Sequence, residues 1–226
     1  MADDRLLVFA RPPEAGRVKT RLSPPLPPDE AAVVYEACLR DVLALAARER
    51  GRLAVWIDGG LAARDYFAQA FPVVPAEPQS AGDLGERIED AFRRNFDEGA
   101  ERVVIVGSDA PTLPESCLHD AFDFLTEVPV VFGPALDGGY YLVGLRRDAW
   151  PAAGALFRDV PWSTPEVLRI SGERAAAAGL ALRLLPAWYD IDRPEDLARA
   201  RAHAAPGSHL ARWLDGPEGE RYIPRA

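Results

Sequence analysis

Short apolar runs alternate with amphipathic stretches along nearly the whole chain, and this alternation restricts the fold more than any other feature. Residues 5–10 (RLLVFA) are almost entirely apolar, as a strand covered on both faces must be. Residues 30–50 place Val33, Val34, Ala37, Leu39, Val42, Leu43 and Leu45 at helical spacing, with Asp29 positioned to cap them. A strand over 53–57, a helix over 61–71 and a short strand at 73–74 come next. Asp83 opens a helix over 84–98, and Glu86 three residues on gives the spacing of a capping box. Beyond it lie a strand at 102–106, a helix from Pro114 to about 126, and strands at 128–132 and 140–145. A helix at 164–178, a strand at 180–185 and a short helix opening at Pro194, where proline suits the first helical position, complete the pattern. Strands separated by helices predict an α/β fold, a three-layer α/β/α sandwich around a mostly parallel mixed sheet. The length of 226 residues fits one domain over 1–204 with a peripheral C-terminal tail at 205–226, rich in Gly, Pro and charge.

On such sheets ligands bind beyond the C-terminal ends of the strands, so the residues just after each strand matter most. The first strand leads into a loop holding Arg17, Lys19, Thr20 and Arg21. Of 26 basic side chains Lys19 is the single lysine, which points to a need for a compact ammonium there. The loop is not a Walker A motif: Gly16 and Lys19 are not adjacent, and Ser23 with the prolines up to Pro28 prevents an immediate helix. No G-x-G-x-x-G fingerprint occurs. A proline-stiffened basic loop after a buried strand remains, suited to a polyphosphate.

Two carboxylate positions complement it. Asp109 ends the strand at 102–106 behind the small residues Gly107 and Ser108, a good position for a ligand to hydrated magnesium. Asp190 and Asp192 are two apart; one can be a second metal ligand while the other caps the helix at Pro194, and Asp192 is the better metal candidate by position. The net charge of −9 argues against nucleic-acid and anionic-membrane partners. Two distant cysteines, Cys38 and Cys117, with no CxxC and three histidines, argue against structural zinc and read as reduced thiols of a cytoplasmic protein. The N-terminus is acidic where a signal peptide would be basic, and no apolar run reaches membrane-spanning length. Trp56 and Trp150 read as packing residues, His119 and His203 as solvated, and Trp162 as either a core anchor or a wall of an acceptor pocket.

Six segments occur together in one order: residues 9–13 (FARPP) with 16–22 (GRVKTRL), Gln79 with 82–87 (GDLGER), 107–111 (GSDAP), 133–144 (GPALDGGYYLVG), 160–164 (VPWST) and 190–197 (DIDRPEDL). In these the chain resembles the DUF2064 family of GT-A-type transferases, related to molybdenum-cofactor and phospholactate guanylyltransferases. The resemblance implies the GT-A nucleotide-diphospho-sugar transferase fold. It implies that Lys19, Arg17 and Arg21 meet the nucleotide phosphates and act with Asp109 in catalysis. Ala10, Arg11, Gly16, Gln79, Leu84, Gly85 and Ser108 would contact the nucleotide. Asp137, Gly138, Gly139, Tyr140 and Trp162 would border the acceptor. Asp109 and Asp192 would hold Mg²⁺ or Mn²⁺. Gly107-Ser108-Asp109 has one acid where many sugar transferases of this fold carry Asp-x-Asp, which is the nucleotidyltransferase pattern. The leading expectation is therefore nucleotidyl transfer from a nucleoside triphosphate to a small phosphate- or hydroxyl-bearing acceptor. Glycosyl transfer from a nucleotide-sugar and a non-catalytic nucleotide-binding domain are the alternatives, and a homodimer is left open.

Overall fold

In the computed structural model, which describes residues 3–223, strand β1 (Asp4–Ala10) lies inside the sheet with every residue but Phe9 buried. Residues 1–2 and 224–226, the outer ends of the two expected segments, lie outside the described residues. After β1 come α1 (Pro28–Ala46), β2 (Arg52–Ile57), α2 (Gly60–Ala70), β3 (Ala76–Pro78), α3 (Leu84–Asp97) and β4 (Arg102–Gly107). The remaining elements are α4 (Glu115–Glu127), β5 (Val130–Pro134), β6 (Tyr140–Arg146), α5 (Val167–Ala177), β7 (Leu182–Leu184), α6 (Pro194–His203), α7 (His209–Asp215) and α8 (Pro217–Tyr222).

The seven strands form one sheet in the order β3-β2-β1-β4-β6-β5-β7. β1 pairs in parallel with β2 and β4, while β6 runs antiparallel to both β4 and β5. The chain leaves β1 toward β2 and β3, then returns to β4 on the other side of β1. That reversal opens a crevice beyond the ends of β1 and β4, where parallel α/β sheets bind ligands.

Side chains alternate faces along each strand, so every central strand feeds two cores. Leu6, Val8, Val104, Val106 and Val131 pack with residues of α1, α2 and α4. Leu7, Val103, Ile105, Phe132 and Val143 pack with α3, α5 and the 3-10 turns between Ala152 and Phe157. The expected α/β/α layering is thereby present, with helices on both faces of a mixed sheet.

Several boundaries differ from the sequence reading. α1 begins at Pro28 with Pro27 as N-cap, so Asp29 does not cap it but lies with Glu30 in the first turn, where carboxylates favour the helix dipole. The strand expected at 73–74 is a turn: Val74 N–H donates to Phe71 O at 3.0 Å, Val73 is 90% exposed, and pairing begins only at Pro75 O. β-branched residues between Pro72 and Pro75 mimic a strand that the prolines shift to Ala76. α5 starts at Val167 rather than 164, because Thr164 bonds back to Pro161 O at 2.7 Å in a turn. The capping box of α3 forms as its sequence indicates, with Asp83 and Glu86 each bonded to the other's backbone N–H.

The C-terminal segment packs against α1 and α6. Leu210, Trp213, Leu214 and Ile223 bury with Val34, Cys38 and Leu197, and also with Leu22 and Leu26 of the loop after β1. Asp41 on α1 accepts hydrogen bonds from the backbone N–H of His209 and Leu210, each at 2.8 Å, tying α7 to α1 at its first turn. Cys38 and Cys117 are free and buried, and among the described residues no helix is long and apolar enough to cross a membrane.

Leu210 is 0% exposed. Truncating it to alanine in Leu210→Ala should cost about 2–4 kcal/mol of unfolding free energy. Urea unfolding measures it; a loss below about 1 kcal/mol would mean that the C-terminal segment contributes little to the core.

Candidate functional site

The loop after β1 brings Lys19 inward. Its backbone is left-handed (φ 47°, ψ 37°), and the buried Val18 and Leu22 on either side anchor the turn. The side chain, 2% exposed, carries its ammonium to Asp109 and, at 3.2 Å, to Asp192. Burial opposes the charge, but Asp109 and Asp192 outweigh it and hold the lysine's pKa well above its usual value. Lys19 is therefore a cation inside the protein.

Asp109 lies just past β4, and its carbonyl accepts a hydrogen bond from Ile191 N–H at 2.8 Å. This bond fastens the segment 190–192 beside the end of β4, although the two are far apart in sequence. Asp192 contacts Lys19, and Arg21 lies 3.6 Å away on its other oxygen. Neither Asp190 nor Asp192 caps α6 through its side chain. Asp196 does that work by accepting from Asp192 N–H and Arg193 N–H at 3.1 and 2.8 Å. Asp190 feels burial first and the charge of Asp109 second, which push its carboxyl up to about 7. The side chains of Asp109 and Asp192 remain 45% and 39% exposed, so both face solvent beside the buried lysine.

These groups stand at one end of a cavity of about 400 Å³ at the crevice between β1 and β4. Of the expected residues, Ala10, Arg11, Arg17, Lys19, Gln79, Leu84, Ser108, Asp109, Tyr140 and Asp192 line it. Gln79 donates from Nε2 to Trp56 O at 2.7 Å, which fixes its amide and leaves Oε1 as the free acceptor. Leu84 is 43% exposed at the start of α3 and offers an apolar surface.

Other expected residues sit elsewhere. Gly16, Gly85, Gly138, Gly139 and Trp162 do not line this cavity, while Arg21 and Asp137 line a neighbouring one. Gly85 is required by packing: a Cβ there would lie 2.0 Å from Phe157 O and 3.0 Å from the Trp162 ring. Gly138 has φ +94°, and a Cβ on it would meet Pro165 O at 2.2 Å. In both cases the close neighbour is the protein's own chain. Trp162 packs edge-on to Tyr140 at 6.2 Å.

The sequence reading missed Tyr35, Asp58 and Arg87. The Tyr35 hydroxyl accepts from Arg11 N–H and bonds the Ser108 hydroxyl, each at 3.0 Å, and so joins the ends of β1 and β4. Burial, and then the charge of Asp109, push its phenol up to about 12, which keeps it neutral. Asp58 after β2 pairs with Arg87 at 2.8 Å and Arg11 at 3.4 Å. A tyrosine in the apolar stripe of α1 carried one usable signal, since a buried hydroxyl needs a partner. Among the described residues no group of three or more His, Cys, Asp or Glu side chains forms a metal centre; the cluster at Lys19 offers the carboxylates of Asp109 and Asp192.

Comparison with known proteins bears on the family and the fold. Residues 41–164 match the family described as "Uncharacterized protein conserved in bacteria (DUF2064)". The chain is 30% identical over 200 residues to the 2-phospho-L-lactate guanylyltransferase of Methanothermobacter thermautotrophicus, covering 87% of this chain and 83% of that protein. It is 29% identical over 213 residues to the enzyme of the same name from Halorubrum lacusprofundi, covering 88% and 87%. Among solved structures it is similar to a protein from Desulfovibrio desulfuricans G20 assigned to the nucleotide-diphospho-sugar transferases, with a TM-score of 0.87 and 32% identity over 98% of this chain and 99% of that one. The sheet and its helices are thus those of a nucleotide-diphospho-sugar transferase fold, and the chain is a transferase.

The packing at Gly85 gives a direct expectation. Gly85→Ala should lower unfolding free energy by about 1–3 kcal/mol through overpacking against Phe157 and Trp162. Urea unfolding with and without nucleotide tests this. An unchanged apo stability with weakened nucleotide binding would instead make Gly85 a ligand contact.

Proposed function

The chain belongs to the DUF2064 family, and on that footing we propose that it is a guanylyltransferase, moving a guanylyl group from GTP to a small phosphorylated acid. The observation that carries this reading is the buried ammonium of Lys19 against Asp109 and Asp192, in the lining of a nucleotide-sized cavity. An acceptor phosphate oxygen would attack the α-phosphorus of GTP. The bond between that phosphorus and the bridging oxygen breaks, and pyrophosphate leaves. An ionised phosphate nucleophile needs no general base, which suits a cavity with no histidine in its lining.

The residues present fit a divalent cation. The cavity lining sets Arg11, Arg17, Lys19 and Arg87 against as many acidic residues, Asp58, Asp109, Asp190 and Asp192, so a strongly anionic triphosphate calls for a further cation. Asp109 and Asp192 would hold Mg²⁺ or Mn²⁺ with hard oxygen donors and leave its other positions to phosphate and water. Such an ion offsets charge developing on the phosphates. Lys19 would then turn its ammonium toward the leaving pyrophosphate, with Arg17 and Arg11 at the more open side. The free Oε1 of Gln79 matches the N1–H and N2–H donors of guanine, where adenine presents an acceptor at N1. Leu84 and Phe9 would form apolar walls for the base. The single acid at the end of β4 favours nucleotidyl over glycosyl transfer. The two free, buried thiols favour a cytoplasmic setting.

With GTP, Mg²⁺ and 2-phospho-L-lactate, the protein should release pyrophosphate in step with guanylylated product. Release of free GDP from a GDP-sugar, with no pyrophosphate from GTP, would establish glycosyl transfer instead. Lys19→Met should lower kcat by about a hundredfold or more, the scale of losing one preorganised electrostatic contact. The same variant should bind Mn²⁺ about tenfold more tightly by calorimetry, because the competing ammonium is gone. Unchanged Mn²⁺ affinity would show that the lysine and the metal do not share the two carboxylates.

A further inference from the structure

A second cavity, of about 280 Å³, adjoins the first, and Asp190 and Asp192 line both. It is smaller than the nucleotide-sized cavity and suits a metabolite rather than a second nucleotide. Anything in it stands across the Asp190 and Asp192 wall from Gln79 and Leu84.

Its charges are unevenly committed. Asp196 is taken up by the backbone N–H groups that open α6, and Asp137 accepts from Gly139 N–H at 2.9 Å. Arg21 lies 3.6 Å from Asp192. Arg193 and Arg199, in contrast, have no carboxylate within 4.0 Å among the described residues. Arg199 is held over the Tyr189 ring, 5.1 Å from its centroid, which orients its guanidinium without neutralising it. Two guanidinium groups without an ion-pair partner, lining a small cavity together with the carboxylate of Asp192, describe a site for an anion that reaches the boundary with the first cavity.

We propose that this second cavity is the acceptor subsite, and that Arg193 and Arg199 select an acceptor with two anionic groups. They would bind the non-reacting carboxylate by the planar fork that guanidinium offers, and leave the phosphate at the Asp190 and Asp192 wall. This rests on the guanylyltransferase reading. In the transfer the new bond joins an acceptor phosphate oxygen to the α-phosphorus of GTP. The electron pair of the broken bond departs with pyrophosphate, and no proton need be removed from an ionised acceptor. Arg193 and Arg199 are then specificity-determining residues for the acceptor and have no part in holding GTP.

Calorimetry with the whole chain tests this without relying on turnover. The wild-type protein, with Mg²⁺ and a non-hydrolysable GTP analogue, is titrated with 2-phospho-L-lactate, with ethyl phosphate and with L-lactate. 2-Phospho-L-lactate should bind at least about tenfold more tightly than either probe with one anionic group. Arg193→Gln and Arg199→Gln should each weaken 2-phospho-L-lactate about tenfold and leave the GTP analogue unchanged, while Arg199→Lys should recover part of the loss. Equal affinity for 2-phospho-L-lactate and ethyl phosphate in the wild type would overturn the proposal. So would arginine variants that bind 2-phospho-L-lactate normally, or that lose it and the nucleotide together. Failure of the GTP analogue to bind the wild type, with the arginine-dependent binding of 2-phospho-L-lactate intact, would instead reject the nucleotide assignment alone.

Discussion

The ammonium of Lys19, almost wholly withdrawn from solvent, has as its nearest countercharges carboxylates from two remote parts of the chain. A charge taken out of water costs several kcal/mol unless it is paired and hydrogen bonded. Lys19 can therefore be buried only when the end of β4 and the segment before α6 are both in place. The left-handed backbone at Lys19 and the backbone bond from Ile191 to Asp109 meet that requirement, since each delivers one partner to the same point. The arrangement ties the loop after β1, the central strands and the C-terminal third into one site.

Beneath the site lies the third hydrophobic cluster. Leu22 and Leu26 from the lysine loop, Ile191 from between the two aspartates, and Leu210 and Trp213 from α7 pack on α1 together. The loop and the aspartate segment thus share a floor, and the distance between ammonium and carboxylates is set by apolar packing as much as by charge. Tyr35 performs the corresponding task above, joining the ends of β1 and β4 by hydrogen bonds. Rigid support of this kind is what keeps polar groups at fixed positions for phosphate chemistry.

Local physics made part of this readable from the residues. The apolar runs at β1 and β4 permit only strands covered on both faces, and Asp83 with Glu86 spells the start of α3. Asp109 stood out because a carboxylate behind Gly107 and Ser108 at a strand end has room for an ion. What the sequence withheld depends on which elements become neighbours. Asp58 and Arg87 form a pair only because β2 lies beside β1 and α3 starts over their ends. Gly85 and Gly138 were expected at the nucleotide and the acceptor, and nothing local in the sequence reveals that the atoms crowding them are Phe157 O and Pro165 O. Tyr35 lies among the apolar positions of α1, and its hydroxyl's partners, Arg11 N–H and the Ser108 hydroxyl, exist only because β1 and β4 are adjacent.

Lys19 and Asp192 lie 173 positions apart. A ribosome adding about 5–20 residues per second needs roughly 9–35 s to supply the second after the first. Throughout that interval the lysine loop, β1 and α1 exist without the Asp192 carboxylate, and without α6 and α7, which complete the cover of Leu22 and Leu26. The emerging chain therefore passes through a period in which its basic loop lacks one of its two countercharges and part of the third hydrophobic cluster is bare, and the ion-paired arrangement can form only after Asp192 has been made.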